Sequence, residues 1–158
     1  MQQRIYALTK VERLIQTNGV LRKLEEKDIV LVSMWIADFQ TCVTPGETIQ
    51  LKKAKKVAQQ QFQKNGLYLY EIEGKAVSMA NTTRPINKSI TVNLVYTPSD
   101  RREKGYASDC VAALSQLCLD QGYDSVLLYT DLSNPTSNHI YQQIGFKPVA
   151  DSISLKLI

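Results

Sequence analysis

Hydrophobic and polar positions change period along the chain, and each change marks an element. Residues 3–11, QRIYALTKV, alternate weakly and read as a strand or an extended arm. Asn18-Gly19 signals a turn, and the VLRKL that follows alternates apolar and basic residues as a half-buried strand does. In EEKDIVLVSMWIADFQ the period lengthens. Ile29, Val32, Ile36 and Phe39 recur at helical spacing, behind acidic residues that suit a helix start. Pro45-Gly46 closes that region. Residues 48–64 make a second helix along Leu51, Ala54, Ala58 and Phe62, stopped by Asn65-Gly66.

Alternation returns in LYLYEIE and KAVSMANTT, with Gly74 at the hairpin turn between them. RPINKS reads as a loop, and ITVNLVYT as a third strand running into Pro98. Residues 106–121 carry Ala107, Val111, Leu114 and Cys118 on one helical stripe that ends at Gly122. DSVLLYTD is largely apolar, as a strand covered on both faces would be. NPTSNHIYQQIG predicts a short helix with Asn134 as N-cap, Pro135 at the first helical position and Gly145 past its end. FKPVADSISLKLI supplies the last strands. This order predicts an α/β domain with a mixed sheet, without internal repeats or linkers.

Composition narrows the class. At 158 residues, 44% hydrophobic and 22% charged, the chain is an ordinary globular domain able to bury a core. No apolar run is long enough to span a bilayer, so no membrane role is expected. The net charge of +4 comes largely from Lys52, Lys53, Lys55 and Lys56. They surround the second helix as a solvated face; base-stacking aromatics are missing there, so nucleic-acid binding is not expected. Cys42, Cys110 and Cys118 have no zinc-binding spacing and read as reduced, packed thiols of a cytoplasmic protein.

The candidate chemistry lies late in the chain. Arg101-Arg102-Glu103-Lys104-Gly105-Tyr106-Ala107 leads from a strand into a helix. A helix start offers unpaired N–H groups and partial positive charge to an anion, and Gly105 lets a phosphate approach the backbone. An exposed basic turn is the alternative. Neither a triphosphate-binding loop nor a dinucleotide fingerprint is present. Further on, Asn134, Asn138 and Tyr141 share one helix face, a stripe suited to an amide-rich ligand, with a half-exposed face and a plain cap as the alternative. His139, the single histidine, points away from that stripe and reads as a surface residue. Without it no Ser/His/Asp or Cys/His arrangement can be assembled. No metal cluster is visible.

Together these stretches resemble the GNAT superfamily of acyl-CoA N-acyltransferases. The family's [QR]-x-x-G-x-[GA] loop is matched by Arg102 to Ala107. Its later N-x-x-S-N-x-x-Y-x-x-x-G-F pattern is matched by Asn134, Ser137, Asn138, Tyr141, Gly145 and Phe146. VYTP, GYAS, VAALSQ and TDLSNPTSNHIYQQIGF are closer still to the C-terminal domain of two-domain predicted acetyltransferases. The resemblance implies residues 1–18 as an N-terminal strand or arm, a remnant of a preceding domain, and residues 19–158 as the acetyltransferase domain. It also implies a mostly antiparallel central sheet flanked by about four helices.

The same resemblance implies a mechanism. The strand before the loop would splay from its neighbour, so that backbone groups of Val95, Tyr96 and Thr97 pair with the pantetheine arm of acetyl-CoA. Main-chain amides from Glu103 through Lys104, Gly105 and Tyr106 to Ala107 would hold the diphosphate, with Arg102 adding charge to the same cofactor-binding loop. Asn134, Ser137 and Asn138 would line the pantetheine end. Tyr141 would protonate the departing thiolate as a primary amine attacks the thioester directly. The general base is a gap: relatives use a carboxylate on the central strands, where this chain has Asn93. Glu71 and Glu73 are the candidates, each with a solvated strand edge as the alternative. The leading reading is an acetyl-CoA-dependent N-acetyltransferase for an unidentified small amine, with acetylation of a protein lysine or N-terminus, or a non-catalytic acyl-CoA-binding module, as the alternatives; a homodimer stays open.

Overall fold

The computed structural model describes residues 2–13, 16–43, 50–131 and 135–153. Among these residues there are seven strands: β1 (Gln2–Leu8), β2 (Val20–Lys23), β3 (Leu67–Ile72), β4 (Lys75–Ile86), β5 (Ser89–Tyr96), β6 (Ser125–Asp131) and β7 (Lys147–Ile153). Four α-helices join them: α1 (Ile29–Val43), α2 (Leu51–Lys64), α3 (Tyr106–Asp120) and α4 (Pro135–Ile144). The strands form one sheet in the order β2-β3-β4-β5-β6-β1-β7. Pairing is antiparallel throughout except between β5 and β6, so the sheet is mixed and mostly antiparallel, as expected.

Strand periodicity divides the core between two faces. In β3, Leu67 and Leu69 point to one side and Tyr68 and Tyr70 to the other. The first side is covered by α1 and α2 through Ile29, Val32, Trp35, Ile36, Ala54 and Ala58. The second is covered by α3 and α4 through Val111, Leu114, Cys118 and Ile144. Each large apolar side chain so buried stabilises the fold by roughly 1.5–3 kcal/mol. The lysines of α2 are exposed, as their spacing predicts.

The N-terminal stretch is a strand, not a free arm. β1 lies between β6 and β7, with Tyr6 and Leu8 fully buried. Three details depart from the sequence reading. RPINKS is not all loop: β4 continues to Ile86, and the register shift between Thr83 and Ile86 accommodates Pro85. β6 is not covered evenly, because Val126, Leu128 and Thr130 are buried while Tyr129 is 40% exposed. Leu51 stands at the exposed start of α2 rather than in its stripe.

Candidate active site

The site begins where the sheet opens. β5 and β6 pair in parallel from Ser89–Ser125 to Val92–Leu128, and β6 beyond that point pairs only with β1. The last residues of β5 keep β4 alone. There the register skips between Asn81–Asn93 and Met79–Tyr96, and Leu94 takes a left-handed φ of 50°. A bulge of this kind bends the strand and re-aims its groups. Leu94 and Val95 have no register partner on either side among the described residues. Ser78 Oγ donates to the Tyr96 carbonyl (3.0 Å) and shares a hydrogen bond with Thr97 Oγ1 (2.9 Å), which fixes the strand end.

From this end the chain enters the Arg102–Ala107 loop. Glu103 (φ 66°) and Gly105 (φ 81°) both have left-handed backbone, a shape that gathers consecutive amides into an anion-binding concavity. Gly105 is the N-cap of α3 and, lacking a side chain, does not bond the first-turn amides. The first N–H groups of a helix have no intrahelical partner and lie at the positive end of its dipole. A side chain at Gly105 would meet only the guanidinium of Arg13 within 4 Å. The backbone at Gly105 is therefore open to an approaching anion. Lys104 and Glu103 are exposed. Arg102 turns back to the strand: its Nε donates to the Thr97 carbonyl (2.9 Å), and its guanidinium lies 5.9 Å from the Tyr96 ring centroid. It clamps the loop to β5.

α4 brings Tyr141 to the same face as the α3 start. Its ring packs edge-on against Phe146 at 6.2 Å. Burial pushes the Tyr141 phenol up to about 12, and the neighbouring Cys110 adds to the shift. Cys110 is itself fully buried and held up at about 12 by desolvation, an inert thiol. Asn138 is buried, and its carbonyl oxygen accepts from Thr130 Oγ1 (2.5 Å) and the Tyr6 hydroxyl (3.2 Å). It ties α4 to β6 and β1, so that oxygen faces inward rather than toward a ligand. Ser137 lies in α4, while Asn134 lies outside the described residues. His139 is exposed, as its spacing predicts.

The carboxylates sort differently from the sequence reading. Glu71 is bound to Arg22 (3.0 Å), which also holds Asp28 (2.7 Å) in one ion-pair network. Glu73 is exposed in the β3–β4 turn with φ 53°. A third acid reaches the open end of β5: Asp38 on α1 is exposed and accepts a hydrogen bond from the Tyr96 hydroxyl. Trp35 lies beside that ring, centroids 5.7 Å apart. Sequence reading passed over Asp38, although it is the one charged residue in the apolar α1 segment. It also passed over Arg13 and Asp109, whose side chains meet at the start of α3 (3.3 Å).

A family model described as Acetyltransferase (GNAT) family matches residues 32–146. No curated protein matches the chain. Solved structures share its fold. A GNAT-family acetyltransferase from Colwellia psychrerythraea superposes with a TM-score of 0.75 at 14% identity over 95% of this chain, which spans only 53% of that one. An aminoglycoside N-acetyltransferase in complex with CoA gives 0.70 at 14% identity, covering 94% and 99% of the two chains. A predicted acetyltransferase from Clostridium acetobutylicum, with acetyl-CoA, gives 0.65 at 18% identity over 87% and 96%.

Proposed function

The chain belongs to the acetyltransferase (GNAT) family, and from that premise we propose that it transfers an acetyl group from acetyl-CoA to a primary amine of a small-molecule acceptor. One observation carries the reading. The β5–β6 pairing ends at Val92 and Leu128, and the chain then enters α3 through the left-handed Gly105 cap, whose first-turn amides have no side-chain partner. An extended ligand with a diphosphate at one end fits such a site. Acetyl-CoA supplies the acyl group as a thioester, and coenzyme A leaves as the thiol.

The chain's own residues divide the remaining work. Backbone groups at Val95 and Thr97 hold the pantetheine arm like an added strand, and amides from Glu103 to Ala107 hold the diphosphate. Asn138 positions α4 from within, which sets the Tyr141 phenol near the sulfur. As the amine nitrogen bonds to the acyl carbon and the carbon–sulfur bond breaks, Tyr141 gives its proton to sulfur. The high pKa of the phenol keeps that proton in place at neutral pH. The attacking nitrogen loses its own proton on the opposite side. Asp38, an exposed carboxylate on the α1–α2 face, is the base that the geometry favours over Glu71, which is committed to Arg22.

A phenol at the thiol end also favours an enzyme over a non-catalytic acyl-CoA-binding module. The test is an assay with acetyl-CoA and a panel of alkylamines, diamines, amino sugars and amino acids, reading thiol release and acetylated product. Turnover with at least one amine is expected. Tight acetyl-CoA binding without thiol release from any of them would favour the module instead.

A further inference from the structure

The described residues between β1 and β2 run against both helices of the site. Glu12 N–H donates to the Ile144 carbonyl at the end of α4 (2.8 Å), and a side chain on Gly145 (φ 127°) would collide with the Lys10 carbonyl at 2.5 Å. Farther along, the segment is fastened to the first turn of α3. Asp109, with no exposed surface, accepts from Arg13 Nε (3.3 Å), the amides of Gln16 (3.2 Å) and Thr17 (2.8 Å), and Thr17 Oγ1 (2.6 Å). A buried carboxylate stripped of such partners would be strongly unfavourable, so the contact is a latch.

The latch fixes the reach of Arg13. One of its Nη atoms stands 3.5 Å from where a side chain on Gly105 would begin. That is the space through which an anion approaches the α3 amides. An oxygen seated there lies at the outer edge of hydrogen-bond range from the guanidinium. Of the Arg13–Asp109 pair the guanidinium is the partner nearer Gly105, and its Nη2, which also donates to Gln16 Oε1 (3.3 Å), keeps a second N–H for an anion there.

We propose that Arg13 is a diphosphate ligand of the coenzyme A site and that Asp109 is its positioning residue. The inference rests on the acetyl-CoA reading above. It makes the segment before β2 part of the cofactor site, although that segment lies outside the 32–146 family match.

The test is calorimetric titration of wild type, Arg13→Gln and Arg13→Lys with coenzyme A and with dephospho-coenzyme A, which lacks the ribose phosphate. Arg13→Gln keeps a donor for Asp109 and loses the charge. It should bind both ligands about tenfold more weakly, the worth of one charge-assisted hydrogen bond, with Arg13→Lys between the two. Unchanged affinity, within about twofold, overturns the proposal. A loss with coenzyme A but none with dephospho-coenzyme A assigns Arg13 to the ribose phosphate and overturns the diphosphate contact. If Arg13→Gln melts early, the double variant with Asp109→Asn removes the stranded carboxylate and is read in the same way. A wild type that binds no coenzyme A overturns the acetyl-CoA reading itself, and the Arg13 assignment falls with it.

Discussion

From Ser89 to Val92, β5 is held on both sides, by β4 and by the parallel β6; from Asn93 to Tyr96 it keeps β4 alone. The first half is a core strand, with Ile90, Thr91 and Val92 buried. The second half has Asn93 exposed and Leu94 and Val95 half-buried, around a left-handed residue that breaks the register. One continuous strand thus serves stability at one end and, in the proposed function, offers backbone to a ligand at the other, because hydrogen-bonding groups released from the sheet are the ones a ligand can use.

The comparison can be broken at either half. Ile90→Ala should destabilise the fold by about 2–5 kcal/mol, read by denaturant unfolding, because it opens a cavity in a packed strand. Acetyl-CoA affinity of the folded protein should be unchanged. A selective loss of binding would mean that the two halves are not separate in function.

At the open end, Tyr141→Phe keeps the ring against Phe146 and removes the proton. We expect kcat to fall by roughly a hundredfold with little change in KM for acetyl-CoA. Wild-type turnover in the variant would assign the proton to water or a carboxylate. The pH profile sharpens this assignment. A phenol raised to about 12 stays protonated until pH rises through that value. Between about pH 7 and about pH 10 the profile should therefore carry no descending limb that Tyr141→Phe abolishes. A limb near pH 8 that disappears in the variant would contradict it.

His139→Ala should have the smallest effect, leaving turnover within about threefold, since the imidazole is exposed. A much larger loss in steady-state turnover would bring the single histidine into the site after all.

What was legible in the sequence was local. The start of α3 announces itself by a glycine before a helix, and α4 by its flanking proline and glycine; neither element needs a distant partner. What escaped were contacts between residues far apart in the chain. Asp109 looks like an ordinary first-turn acid until Arg13 and Thr17, more than ninety positions away, close on it. Asp38 could have been noticed as a lone charge in an apolar helix, but its bond to Tyr96 requires the sheet. Glu71 was readable as an acid near the site, yet Arg22 on the adjoining strand takes it. The bulge at Leu94 has no signature in ITVNLVYT, because leucine is an unfavourable residue for that backbone and only the surrounding pairing imposes it.

The central claim is that a diphosphate-bearing thioester docks at the open half of β5 through the start of α3, and equilibrium titration of acetyl-CoA into wild type and Gly105→Asp tests it most directly. The substitution sets a negative charge and a side chain, on strained left-handed backbone, where the anion must approach. With circular dichroism showing both proteins folded, affinity should fall at least tenfold, about 1.4 kcal/mol. Equal affinity in the two proteins would contradict the account and move the cofactor away from the loop.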